Sequence, residues 1–112
     1  MTSSVKGDRL GEFEEFTLLA VRALGDRTYA VPVQQFVEEA TGRNVSLGAV
    51  YAALARLEDK GFVRSGMGDA TARRGGKSKR LYDVTALGLR TARELHRVRA
   101  KIWNAIAGDR QS

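Results

Sequence analysis

Apolar residues recur at helical spacing in four stretches of this chain, and they alternate in a short stretch between the third and the fourth. From Glu12, the residues Phe13, Phe16, Ala20, Val21 and Leu24 share one helical face, widened by Leu18 and Leu19. Phe13 and Phe16 on such a face read as core or interface packing. Glu12, Glu14 and Glu15 crowd the first turn, where carboxylates interact well with the helix dipole, and Gly25-Asp26 marks the stop. A second helix opens at Tyr29-Ala30-Val31-Pro32, because proline is tolerated in a first turn whose N–H groups have no partner. Its predicted stripe is Val33, Phe36, Val37 and Ala40, with Gln34, Gln35, Glu38 and Glu39 facing water and Thr41-Gly42 closing it.

Ser46 is a good N-cap for a third helix. With Leu54 as its centre, Leu47, Val50 and Leu57 lie within about 60° at 100° per residue. Ala49, Ala52 and Arg56 then point the opposite way, Gly48 and Ala53 lie between the faces, and Tyr51 and Glu58 sit on one flank. Lys60-Gly61 stops this helix. Phe62, Val63 and Arg64 start a strand, a glycine-rich loop follows, and Arg80, Tyr82 and Val84 alternate with Leu81 and Asp83 in a return strand. Thr85 is predicted to cap a last helix from Ala86 to about Ala107, roughly 33 Å long. The pattern predicts a mainly α fold with a small β-hairpin, a winged helix-turn-helix plus a long C-terminal dimerisation helix. Its expected division is a flexible arm (residues 1–10), a winged-helix domain (11–84), the dimerisation helix (85–108) and a tail (109–112).

The last helix is longer than three short helices and a hairpin can cover. Gly88, Thr91, Leu95, Val98, Ile102 and Ile106 form a seam at spacings of three and four. A seam on a protruding helix implies a partner helix, most simply a second copy in a two-fold dimer, with Phe13 and Phe16 as further interface candidates. Packing of the seam back onto its own domain is the alternative. Ala92, His96, Arg99 and Trp103 make a second stripe, open to reading as interface or as a ligand-sensing surface. The lone histidine has no second metal ligand in view.

Composition narrows the classes. The 112 residues suit one domain, and 43% hydrophobic with 29% charged is an ordinary globular mixture. No run of about 18 apolar residues exists to span a membrane, and the N-terminal residues lack the apolar core of a signal peptide. Without cysteine there is no disulfide framework or thiolate metal site. A cytoplasmic protein without cofactor or metal is expected.

The net charge is +6, and its placement changes the picture. Between Arg64 and Arg80 the hairpin holds Arg64, Arg73, Arg74, Lys77, Lys79 and Arg80 against Asp69 alone, a local excess of positive charge that concentrates a polyanion. Double-stranded DNA is therefore the expected partner. On the third helix, Gly48, Ala49 and Ala52 let the backbone approach a groove but offer few groups to base edges. Direct readout would rest on Ser46, Arg56 and Arg43 or Asn44, with arginine-to-guanine the strongest option and DNA shape supplying much of the rest. Gly75-Gly76-Lys77-Ser78 is no phosphate loop: Thr71 stands where that motif needs glycine, and the flanking order is helix then hairpin. No residue set suggests an enzyme. A winged module that binds protein instead is the competing reading, motivated by the acidic second helix. The basic hairpin argues against it.

These segments resemble PadR-family transcriptional regulators. The likeness runs over roughly residues 10 to 90, through Leu-Gly-Glu-Phe-Glu-Glu, Leu-Leu-Ala-Val-Arg-Ala-Leu-Gly-Asp, Thr-Tyr-Ala-Val and Lys-Arg-Leu-Tyr-Asp-Val-Thr-Ala-Leu-Gly. It is most specific from Val50 to Val63. The resemblance implies a winged helix, dimerisation through the last helix, and binding of palindromic promoter DNA, usually as a repressor. Tyr51 looks like the family's phosphate-reaching tyrosine, and Arg73, Arg74 and Lys77 correspond to the wing. The short tail is similar to the branch in which flat hydrophobic compounds sit between subunits against an aromatic residue of the last helix. A small hydrophobic or aromatic effector near Trp103, Arg99 and His96 is thereby implied. Two departures stand out: Arg99 occupies the position of that aromatic residue, with Trp103 a turn beyond it, and Ala30 replaces a common glycine.

Overall fold

The structure, a computed structural model, describes residues 10–25, 27–68 and 79–111. In chain order it contains α1 (Glu12–Leu24), α2 (Ala30–Thr41), α3 (Leu47–Asp59), β1 (Val63–Met67), β2 (Arg80–Val84) and α4 (Ala86–Gln111). The strands are antiparallel, in register from Val63↔Val84 to Met67↔Arg80. Thr28 adds a one-residue bridge on the other side of β2, exchanging N–H···O bonds of 3.1 and 2.7 Å with Tyr82. A single extended residue carries no alternation, so the pattern along the chain did not announce it.

Leu18 and Val21 of α1, Val33 and Val37 of α2, and Val50, Ala53, Leu54 and Leu57 of α3 meet in one core, closed by Phe62, Val63, Tyr82 and Ala92. Burial of the Tyr82 ring pushes its phenol above the ordinary value, so it stays neutral in the core. Four expectations need correction. Ala53 is fully buried rather than lateral, which rotates the core face of α3 and moves Arg56 from the outward centre to the flank against α1. Phe36, Ala40 and Leu24 are exposed, the first two because they line an open pocket with Phe16 and Leu19 of α1. Gln34 and Glu38 turn inward instead of facing water. Gln34 Nε2 donates to the Val45 carbonyl (2.7 Å) and Val45 N–H donates to Glu38 Oε2 (2.9 Å), which fixes the turn between α2 and α3.

The fourth correction concerns Gly88, expected on a dimer seam. It is buried within its own chain, where a Cβ would overlap the Phe62 carbonyl and reach 3.0 Å from Val84 Cγ1. This approach follows from how α3 stops. Gly61 takes φ 82°, Gly61 N–H donates to Glu58 and Phe62 N–H donates to Leu57 (both 2.9 Å), a Schellman closure. Thr85 then bonds twice, its hydroxyl donating to the Gly61 carbonyl (2.7 Å) and accepting from Gly88 N–H (3.0 Å). As predicted, Thr85 caps α4.

α4 runs through Gln111, about 39 Å, beyond the expected Ala107. Its first turns pack against α1 and β2, and Ala92 of the second stripe is the residue that enters the core. No helix among the described residues is long and apolar enough to cross a membrane.

Adjacent carboxylates at the start of α1 fasten it to two other helices. Glu14 accepts from Lys60 Nζ (2.7 Å) and Arg56 Nε (2.8 Å) of α3 and its cap, while Glu15 accepts from Arg99 of α4 (2.6 Å). Burial raises the Glu14 pKa, but the hydrogen bonds from Lys60 and Arg56 outweigh it and hold the carboxyl below its ordinary value of 4.5.

Gly88→Ala is expected to lower stability by about 3 kcal/mol through backbone overlap. Gly48→Ala, whose added Cβ meets nothing within 4 Å, is expected to raise it by about 0.5 kcal/mol. Urea unfolding of the two variants measures both. The lowered Glu14 pKa has a definite sign: its stabilisation is complete above the unfolded value of 4.5 and fades as pH falls through the lower folded value. Urea midpoints between pH 6 and 3 are therefore expected to fall less in Glu14→Gln than in the parent chain.

Candidate nucleic-acid interface

The helix-turn-helix is α2, the turn at residues 42–46, and α3. Gly42 ends α2 in the left-handed conformation, φ 72°, and its N–H donates to Glu38 (2.8 Å). Arg43 and Asn44 are exposed at the turn while Val45 is buried. The Ser46 side chain accepts from Ala49 N–H (3.0 Å), so the predicted cap forms and its oxygen is occupied by the helix.

Gly48, Ala49, Tyr51, Ala52 and Arg56 all lie exposed on α3. The structure therefore gathers the small residues expected for close approach into one open surface, with the Tyr51 ring beside it, half exposed. The two arginines proposed as readers have internal partners that the sequence did not suggest. Arg43 lies 3.4 Å from Glu12 and over the Phe16 ring, 5.8 Å from its centroid. Arg56 is bonded to Glu14, as described above. Glu12 and Glu14 read in sequence only as residues suited to a helix start, and no local spacing ties them to positions 31 and 42 residues away, respectively.

The hairpin is seated on the end of α3. Ser65 Oγ donates to Glu58 and accepts from Arg80, both at 2.7 Å. Lys79 places its ammonium over the Tyr29 ring, 4.6 Å from the centroid, a cation–π contact at the root of the wing. Arg27 N–H donates to Asp83 (2.8 Å). Arg73, Arg74 and Lys77, the wing residues expected to meet DNA, lie outside the described residues.

On α4, Thr91 and Leu95 are half-buried against their own chain, whereas Val98, Ile102 and Ile106 are exposed. Trp103 is 67% exposed, a large apolar area left in water. Phe13 and Phe16 are half-buried beside the core. Between α1 and α4 runs an open groove of about 760 Å³ lined by the apolar residues Phe16, Leu19, Leu89, Ala92 and Ala100 and by Glu15, Arg93, His96, Arg97 and Arg99. Trp103 is not among its lining residues. The described residues contain no cluster of three or more His, Asp or Glu able to hold a metal.

Residues 18–94 match the family described as "Transcriptional regulator PadR-like family". No curated protein matches the chain. Among solved structures, a PadR-like transcription factor from Bacteroides fragilis superposes with a TM-score of 0.73 at 21% identity, covering 95% of this chain and 94% of that one. A PadR family regulator from Clostridium difficile gives 0.71 at 17% identity, covering 91% and 100%. One from Bacillus cereus gives 0.69 at 16%, covering 99% of both. These identities speak for the fold, a winged helix, while the family match spans most of the sequence. By that match, and with the helix-turn-helix, hairpin and projecting helix in place, the chain belongs to the PadR-like family of transcriptional regulators.

Proposed function

We propose that the protein is a homodimeric repressor that binds a palindromic promoter operator. The observation that carries this reading is the open face of Gly48, Ala49 and Ala52 on α3, capped at Ser46 and set beside the hairpin. Small side chains admit the helix backbone to a major groove, and Tyr51 flanks them within reach of a phosphate. Asn44 and Arg43 stand exposed at the leading end. The hairpin, with Arg73, Arg74, Lys77 and Lys79, supplies sequence-independent affinity through phosphate contact or minor-groove insertion. Because so few groups can read bases directly, DNA shape and half-site spacing carry much of the selectivity.

Dimerisation rests on Val98, Ile102, Trp103 and Ile106, apolar residues exposed on one projecting helix. Such a patch in a regulator of this size is best covered by its own copy about a two-fold axis, with the groove that Phe16 helps to line as the facing surface. The groove beside His96 and Arg99 is also where a small hydrophobic or aromatic effector would lodge, between subunits.

The decisive experiment is a mobility shift on the region upstream of the protein's own gene. A discrete complex that survives competitor DNA is expected, and loss of all preference over competitor would sink the repressor reading. Lys77→Ala is expected to weaken binding evenly across sequences and flatten the slope of log affinity against log salt by about 0.9. Ile102→Glu is expected to give monomers by light scattering, with operator affinity falling while the fold, read by circular dichroism, persists.

A further inference from the structure

One arginine stands in the turn before the DNA-facing helix and one in its last turn, and they are held differently. Arg43 and Glu12 are 3.4 Å apart with side chains 56% and 65% exposed, a long, solvated pair of the kind that restrains little. Arg56 meets a different acceptor. The Glu14 side chain is only 12% exposed, and its two oxygens have separate tasks. Oε1 takes the Lys60 ammonium, itself 18% exposed, at 2.7 Å. Oε2 takes Arg56 Nε at 2.8 Å, and that guanidinium is 58% exposed.

This asymmetry matters. Lys60 anchors the carboxylate, so Oε2 is presented to Arg56 already oriented and already stripped of water. A charged acceptor fixed in advance competes well for a guanidinium, because little reorganisation is needed when the bond forms. Arg56 is meanwhile exposed enough to exchange partners, and it lies on the same helix as the open face. A DNA phosphate would be its natural alternative acceptor.

We propose that Glu14 is a positioning residue for DNA binding, which withholds the Arg56 guanidinium from the phosphates and so limits affinity for DNA of arbitrary sequence. α3 then enters the groove with its shape exposed and its terminal charge neutralised, and unselective attraction is left to the hairpin. The low Glu14 pKa agrees with a carboxylate that stays ionised in this role throughout the neutral range. The inference rests on the DNA-binding reading above and adds a residue on α1, outside the helix-turn-helix.

The test is affinity for a random-sequence duplex at several salt concentrations, using the full-length chain. Glu14→Gln is expected to steepen the salt slope by about 0.9 and to tighten binding roughly eightfold at 0.1 M salt, the effect of one further counter-ion released. In an Arg56→Ala background the same change is expected to do nothing to the slope. Glu12→Gln removes the same formal charge from the same turn and is expected to have much the smaller effect. An unchanged slope in Glu14→Gln, a gain that persists without Arg56, or an equal gain from Glu12→Gln would each overturn the proposal. Should Glu14→Gln not fold by circular dichroism, Arg56→Ala alone decides. An unaltered slope supports a withheld guanidinium, and a slope flattened by about 0.9 shows a free phosphate contact and overturns it. A parent chain with no salt-dependent affinity for any duplex would instead remove the DNA-binding reading itself.

Discussion

The backbone contact between Phe62 and the start of α4 is the constraint on which the remaining geometry depends. The Phe62 carbonyl accepts Thr85 N–H at 3.0 Å and leaves no room for a Cβ at Gly88. The same few residues end α3, open β1, close β2 and launch α4. Backbone groups and one threonine hydroxyl make this junction, so few rotatable bonds separate α3 from the helix that projects away from it. A junction of that kind transmits orientation. If two copies pair through the outer half of α4, the angle set at Gly88 fixes how far apart their two α3 helices stand, and half-site spacing becomes a property of the backbone.

Much of the fold was legible because local chemistry decides it. Ser46, Gly61 and Thr85 each act within a few residues of themselves, as caps and a left-handed stop, and each sits where the pattern of side chains placed it. The order of helices and the hairpin followed from apolar period, glycine stops and a glycine-rich loop. What escaped was decided by packing between distant segments. Ala53 reads as neutral on a helical wheel and became core because α1 and α2 close over that side of α3. Gln34 and Glu38 look like solvent residues until the turn at Val45 comes within reach of their side chains. Thr28 pairs with Tyr82 across nearly half the chain. Gly88 fitted a seam by spacing, yet it is glycine because of a carbonyl from another element.

The candidate site divides along the same line. Its open face could be read from the run of glycine and alanine, since absence of side chains is visible in any conformation. The state of its arginines could not, because an ion pair is a property of two positions and a fold. Arg43 and Arg56 look equivalent in the sequence, both being cations beside a small-residue helix. In the structure one is a solvated pair and the other is bonded to a carboxylate largely withdrawn from water.

That difference bears on how a regulator with so few base-reading groups could be selective. Each free cation near DNA strengthens binding to every sequence alike, since phosphates carry no sequence information. For a helix whose outward face is mostly alanine and glycine, discrimination must come from fit, and unselective charge on the same helix would dilute it. Charge on a separate hairpin does less harm, because it adds affinity without competing for the groove that α3 would enter on the proposed reading. The acidic first turn of α1 is consistent with this separation. Glu14 pairs with Arg56 near the far end of α3 and Glu15 ties the same turn to Arg99 on α4, so the element that restrains charge on α3 is also bonded to the projecting helix.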